Sequence, residues 1–253
     1  MMLSAIVASA HAACAPVPVL AVGADAHAVS MAEVGEASAL GWIDEEGGHL
    51  VLVDAEGKPK MVKALGPAAE VRVLGDASTW VAVTRTSQWA GHGACRIEAT
   101  RVNEKGKRLE RRTLITDACP LETPSLAAAL RDGTLLVAAT TTDAAGASSR
   151  DLRIARWAPA PAIPQPLDAV YVEPGLRVDG LVPTAEGYEL YWSTRDGHRR
   201  STLDAYGTPR GPTQRSPAPF VPPAAEPGDR AEGRSGRAAW IAEGVLRFQA
   251  CAP

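Results

Sequence analysis

Hydrophobic positions in this chain fall in short runs bounded by turn residues, the pattern of strands rather than of amphipathic helices. One phrase recurs: a small or acidic turn ending in Ser or Gly, followed by an apolar run. It occupies 35–44 (Gly-Glu-Ala-Ser-Ala-Leu-Gly-Trp-Ile-Asp), 75–84, 131–140, 185–194 and 233–243. The closing residues Ser38, Ser78, Gly133, Gly187 and Gly236 are 40, 55, 54 and 49 positions apart. A second phrase interlocks with it, an apolar residue, Asp or Asn, two variable residues and Gly, at 53–57, 102–106 and 203–207. This is hairpin chemistry: the Asx side chain bonds nearby backbone N–H groups and Gly takes the positive φ.

Together the two phrases predict units of four strands. The second unit reads Glu70 to Leu74, Thr79 to Thr86, Cys95 to Asn103 and Lys107 to Thr116. The third reads Ser125 to Leu130, Thr134 to Thr141, Asp151 to Trp157 and Ile163 to Val172. The fourth reads Leu176 to Pro183, Tyr188 to Thr194, His198 to Leu203 and Pro209 to Arg215. The second strand of each unit is nearly all apolar, as expected of a strand covered on both faces. A first unit spans about His27 to Leu65. The last unit, Arg237 to Ala242 and Val245 to Ala250, stops short of a fourth strand, which the stretch Ala15 to Val22 can supply. Two stretches, Val29 to Leu40 and Ser125 to Arg131, also have good helix propensity. The Pro-rich segment Ser216 to Gly236 reads as a flexible connection where an inner strand belongs.

Repeats of this length and chemistry resemble the β-propeller superfamily. The resemblance implies an all-β, five-bladed β-propeller at 14–253, closed by an N-terminal strand that completes the last blade. The paired glycines of kelch repeats and the Trp-Asp dipeptides of WD repeats are absent, so no subfamily follows. Propellers host enzymes, lectins and interaction platforms alike.

Composition narrows the partners. A net charge of −3 with no dense basic block gives no footprint for nucleic acid. No apolar run approaches the ~20 residues of a membrane span. Met1 to Ala13 resembles a truncated secretory signal ending in Ala-His-Ala, although its apolar run is short and no Lys or Arg precedes it. Four cysteines without a C-x-x-C fit two disulfides in an exported protein better than a zinc site, and of the three pairings they allow, Cys95–Cys119 with Cys14–Cys251 is favoured.

Candidate chemistry is sparse. There is no nucleophile elbow, phosphate loop or dinucleotide fingerprint, and no cofactor or metal is implied. Gly-His occurs at 48–49, 91–92 and 197–198, between the second and third strands, where each His reads as part of its own turn. Trp89 and His92, in one loop, and Asp179 are the candidate binding residues. Asp179 is the one acidic residue inside a predicted inner strand, whereas Glu36, Asp76, Asp132 and Glu186 sit in inner turns. The reading that follows is a monomeric, exported, non-catalytic module binding a protein or carbohydrate. The alternative is a hydrolase with carboxylates in the central funnel, which needs two carboxyls about 5–10 Å apart. Three or more of the five acids in one pocket would favour the alternative.

Overall fold

The Asx-x-x-Gly phrases form the hairpins their chemistry demands. Asp54 Oδ1 accepts from Lys58 N, Asn103 Oδ1 from Lys105 N and Lys107 N, and Asp204 Oδ1 from Tyr206 N and Thr208 N, all at 2.8–3.0 Å. Gly57, Gly106 and Gly207 close these turns at φ of 80°, 75° and 87°. The computed structural model describes residues 15–76, 79–86, 95–116, 126–142, 149–159, 165–166, 171–174, 177–217, 220, 230–233 and 235–250.

Strand β1 (Val17–Ala21) precedes a first sheet of β2 (His27–Val34), β3 (Ala37–Asp44), β4 (Gly47–Val53) and β5 (Pro59–Gly66). The second sheet is β6 (Glu70–Asp76), β7 (Thr79–Arg85), β8 (Arg96–Asn103) and β9 (Arg108–Thr116). In the third, β10 (Leu126–Arg131), β11 (Thr134–Thr142) and β12 (Ser149–Trp157) are followed by an outer strand in two pieces, β13 (Gln165–Pro166) and β14 (Tyr171–Pro174). Of the strand predicted over 163–172, the described residues are Gln165–Pro166 and those from Tyr171, and Pro166 and Pro174 each lack a ladder donor. The fourth sheet is β15 (Arg177–Pro183), β16 (Gly187–Thr194), β17 (Gly197–Asp204) and β18 (Gln214–Ser216).

The fifth sheet holds β19 (Arg230–Glu232), β20 (Ala238–Ala242) and β21 (Val245–Gln249), and its outer strand is β1. Val17 pairs with Phe248 and Ala21 with Val245, so the N-terminal strand completes the last sheet. Pairing β21 in this way leaves it no open edge. A three-residue inner strand stands within the segment read as a connection, and both stretches of high helix propensity are strands. Tertiary pairing overrides propensity there, because each stretch lies against an apolar second strand. Every ladder is antiparallel, and the five sheets make a five-bladed β-propeller.

Four of the five seams between neighbouring blades are dry, and each carries one Trp. Trp42 seals the fifth blade against the first, Trp80 the first against the second, Trp157 the second against the third, and Trp192 the third against the fourth. All four indoles are at most 3% exposed. Burying such rings contributes much of the cohesion of the array. Arg101 adds a polar pin between the second and third blades: its guanidinium lies 4.1 Å from the Trp157 ring and donates to the carbonyls of Gly133 and Trp157. Burial pulls the pKa of that guanidinium below its ordinary value. Among the described residues no apolar cluster joins the fourth blade to the fifth.

Candidate functional site

The inner strands β2, β6, β10, β15 and β19 line a central cavity of about 320 Å³. Most of its wall is small or apolar, as in Val73, Gly75 and the Ala127–Leu130 run. Polar chemistry enters chiefly from Arg72, Glu33, Asp179 and Glu232.

Asp179 is placed by a defect in the ladder. In β15, Val178 pairs with Trp192 and Gly180 with Tyr191, leaving Asp179 without a cross-strand partner at a β-bulge. Bulges of this kind re-aim a side chain out of the regular alternation. Its carboxylate is 8% exposed. Oδ1 accepts from Arg177 Nε at 3.0 Å, and Oδ2 accepts from the Ser193 hydroxyl. Ser193 Oγ is also 2.9 Å from His198 Nδ1, and that nitrogen lies 3.9 Å from Asp179 Oδ2. Arg177, Ser193 and His198 are cross-strand neighbours in one row of the sheet, so the cluster is built on rigid elements.

The same face of the fourth blade is polar from axis to rim. Directly paired residues share a face. Gly180, Tyr191, Arg200 and Gln214 form one row, and Val182, Glu189 and Thr202 the next. The opposite face carries Leu181, Leu190, Trp192 and Leu203 and packs on the third blade. Tyr191 donates its hydroxyl hydrogen to Glu189 Oε2, and its ring stacks on Phe220 at 4.4 Å between centroids. Burial, and then the Glu189 carboxylate, push the Tyr191 pKa up to about 12. Across the seam, the fifth blade presents Arg230, Trp240 and Arg247, which are also cross-strand neighbours. Trp240 is the fifth seam's Trp, but it is only half-buried, with the Arg230 guanidinium 5.3 Å from its ring. The cleft between the fourth and fifth blades is therefore the one seam with polar walls among the described residues.

Of the acids singled out in the sequence, only Asp179 reaches the cavity. Asp132 and Glu186 are largely exposed, Glu186 pairing with Arg210 at 3.0 Å. Glu36 is in an exposed turn, and Asp76 accepts from Gly133 N in the next blade. These four do not converge. Glu33 and Glu232 line the cavity instead. His49 bonds Asp44 within its own hairpin at 2.7 Å, and His198 likewise stays within its hairpin through Ser193. Trp89, His92, Cys14, Cys119 and Cys251 lie outside the described residues. Among the described residues, no three His, Cys, Asp or Glu side chains converge on a point that could hold a metal ion, and no helix is long and apolar enough to cross a membrane.

Sequence reasoning missed Glu189, Tyr191, Ser193 and Arg200. The signal was present: Tyr188-Glu189-Leu190-Tyr191-Trp192-Ser193 alternates, whereas Leu135-Leu136-Val137-Ala138-Ala139 does not. Accordingly, β16 alternates between buried and half-buried positions, while β7 is buried on both faces from Trp80 to Arg85.

Neither a protein-family model nor a curated protein sequence matches the chain. Among solved structures it is similar to an exo-β-1,3-galactanase of Phanerochaete chrysosporium, with 14% identity, a TM-score of 0.49, and coverage of 94% of this chain and 62% of that one. It is also similar to a subtype N11 neuraminidase-like protein from a flat-faced bat (10%, TM-score 0.49, coverage 90% and 69%). A third is an α-L-arabinofuranosidase of Clostridium thermocellum (10%, TM-score 0.43, coverage 75% and 72%). The chain thus spans less than two thirds of the galactanase, and similarity of this degree assigns no activity. It does bear on one expectation. The reading as a non-catalytic binding module is corrected: glycoside hydrolases recur among the structures that share this fold. The cavity wall itself carries a nearly buried carboxylate, Asp179, held by Arg177 and Ser193.

Proposed function

We propose that the chain hydrolyses glycosidic bonds in its central cavity, with Asp179 as one of two acting carboxylates. The observation that carries this reading is the bulge at Asp179, which fixes a carboxylate with two hydrogen-bonded oxygens on the cavity wall. Fixed acceptors aimed at a site partly screened from water are the chief resource of such catalysis.

Glu232 is the second carboxylate. It too lines the cavity, pairs with Ala238 and so shares the face of Arg230 and Trp240, and lies 3.0 Å from Arg230 Nε. Asp179 accepts the proton of the attacking water, Glu232 protonates the leaving oxygen, and the C–O bond of the glycoside breaks as the new one forms.

The protein is read as an exported single domain over 14–253 that acts as a monomer. Cys95, buried and engaged in a disulfide, supports an oxidising compartment. The test is hydrolysis of a panel of aryl glycosides and oligosaccharides. Asp179→Asn and Glu232→Gln are each expected to lower kcat by about a hundredfold or more. Full activity in both variants, or no hydrolysis of any glycoside by the unaltered protein, overturns the reading.

A further inference from the structure

A second cavity, about 170 Å³, opens on the rim of the fourth blade and is lined by Arg200, Thr202, Arg210, Gly211, Pro212 and Gln214. Two guanidinium groups share this small space. Arg200 is anchored from β17: its Nε and Nη2 both donate to Gln214 Oε1, at 3.1 and 2.9 Å. Gln214 is neutral, and among the described residues no carboxylate lies within ion-pairing distance of Arg200. Arg210 is held through its backbone, which donates to Thr202 O at 2.9 Å, and through Nη1, which meets the largely exposed Glu186. The loop Gly211–Pro212 brings these donors together. One charge is unneutralised and the other is countered only by an exposed, well-solvated carboxylate, which a ligand can outcompete.

The cavity lies on the polar face described above. The row Gly180–Tyr191–Arg200–Gln214 runs from the central cavity to this one, across three strand spacings of ~4.8 Å, or about 14 Å. The facing blade repeats the charge with Arg230 and Arg247, countered by Glu232 at 3.0 Å and by the exposed Glu243 at 3.7 Å. The row itself holds no acid; beside it stand Asp179 at the bulge and, in the neighbouring row, Glu189, which accepts from the Tyr191 hydroxyl.

We propose that Arg200 and Arg210 form an anion subsite that selects acidic oligosaccharides, binding a carboxylate or sulfate group on a sugar whose neighbours run inward to the central cavity. Planar guanidinium groups suit carboxylate and sulfate oxygens by paired hydrogen bonds. The inference rests on the reading of the central cavity as a glycoside site and adds the substrate class to it.

Titration calorimetry on the Asp179→Asn protein separates the two, because no hydrolysis consumes the probe. The probes are galacturonate, glucuronate and sulfated oligosaccharides, each with its neutral counterpart, and inorganic sulfate. At least one charged oligosaccharide is expected to bind more tightly than its neutral form. Arg200→Gln and the outlying Arg210→Gln are each expected to weaken that binding by about tenfold, leaving the neutral form's affinity unchanged. No preference for any charged probe, indifference to Arg210→Gln, or inorganic sulfate binding as tightly as the oligosaccharide overturns the subsite. A charged preference lost in Arg210→Gln, in a protein that hydrolyses nothing, would keep the subsite and sink the hydrolase. Hydrolysis lost in Asp179→Asn without any charged preference would do the reverse.

Discussion

Glu33 accepts hydrogen bonds from both the backbone N, at 3.1 Å, and the hydroxyl of Ser235, a residue 202 positions later in the chain. The Arg237 guanidinium lies 3.9 Å from the same carboxylate and also donates to Gly35 O at 3.3 Å. These contacts tie the inner turn of the last blade to the inner strand of the first. They stand at one end of a seam whose interior is filled by Trp42, Phe248, Leu246 and Met31.

Replacing Glu33 by Ala removes the acceptor and leaves Arg237, 13% exposed, without its carboxylate. The expected cost is about 2 kcal/mol, or a fall in Tm of about 5 °C for a chain of this length. Thermal unfolding followed by circular dichroism measures it. A variant as stable as the unaltered protein would show that the apolar seam alone holds the first and last blades together.

A second polar pin is buried more deeply. Arg85 donates to Glu70 Oε1 through Nε and Nη2, at 3.1 and 2.8 Å, and both side chains are under a tenth exposed. Removing one member of such a pair strands the other charge. Glu70→Ala is therefore expected to destabilise by about 3–5 kcal/mol, more than Glu33→Ala. The joint replacement Glu70→Leu with Arg85→Met should recover much of that loss. Urea unfolding of the three variants decides the order, and equal effects of Glu70→Ala and the joint replacement would refute the account.

The strand count and the hairpins were legible because turns carry local chemistry. Asp54, Asn103 and Asp204 bond backbone within four residues of themselves, so no distant partner is needed to read them. The fourth strand of the last blade was legible for another reason: four-strand units left one blade short and one apolar stretch, Ala15 to Val22, unused. The short strand β19 was not, since its few residues have no period of their own and owe their conformation to Ala238–Trp240. The site was half legible. Asp179 could be singled out as an acid in an inner strand, but its partner Ser193 comes from a second strand read as nearly all apolar, and the role of that strand's polar positions shows only in the burial pattern of the folded blade. Glu33 and Glu232 were passed over because strand ends are ordinary places for acids.

Gly180 is where the cavity wall depends on the absence of a side chain. A Cβ there would sit 2.0 Å from the nearest ring atom of Phe220, the ring that stacks on Tyr191. Gly180→Ala must therefore push Phe220 off Tyr191, while the backbone, which needs no positive φ here, stays in place. The expected stability change is small, about 1 kcal/mol. The larger effect is on the cavity, because Gly180 adjoins the bulge that aims Asp179. Substrate KM is expected to rise severalfold with Tm nearly unchanged, and a variant with ordinary kinetics would show that Phe220 moves at no cost to the site.

Tyr191 supplies a pH signature. Burial first, and the hydrogen bond to Glu189 next, raise its pKa from 10.0 to about 12. Tyr188 is raised in the same direction, again by burial first. A tyrosine whose folded pKa exceeds its unfolded one keeps its proton in the folded chain after the unfolded chain has lost it. Folding free energy is therefore unaffected below pH 10, and stability falls as the pH climbs from there towards about 12. Tyrosinate absorbance from Tyr191 and Tyr188 should rise only above the ordinary tyrosine range. In Tyr191→Phe the alkaline loss of stability should become shallower, because one of the two proton-linked groups is gone. Alkaline unfolding curves of equal steepness in the variant and the unaltered protein would show that the Tyr191–Glu189 contact does not persist in solution.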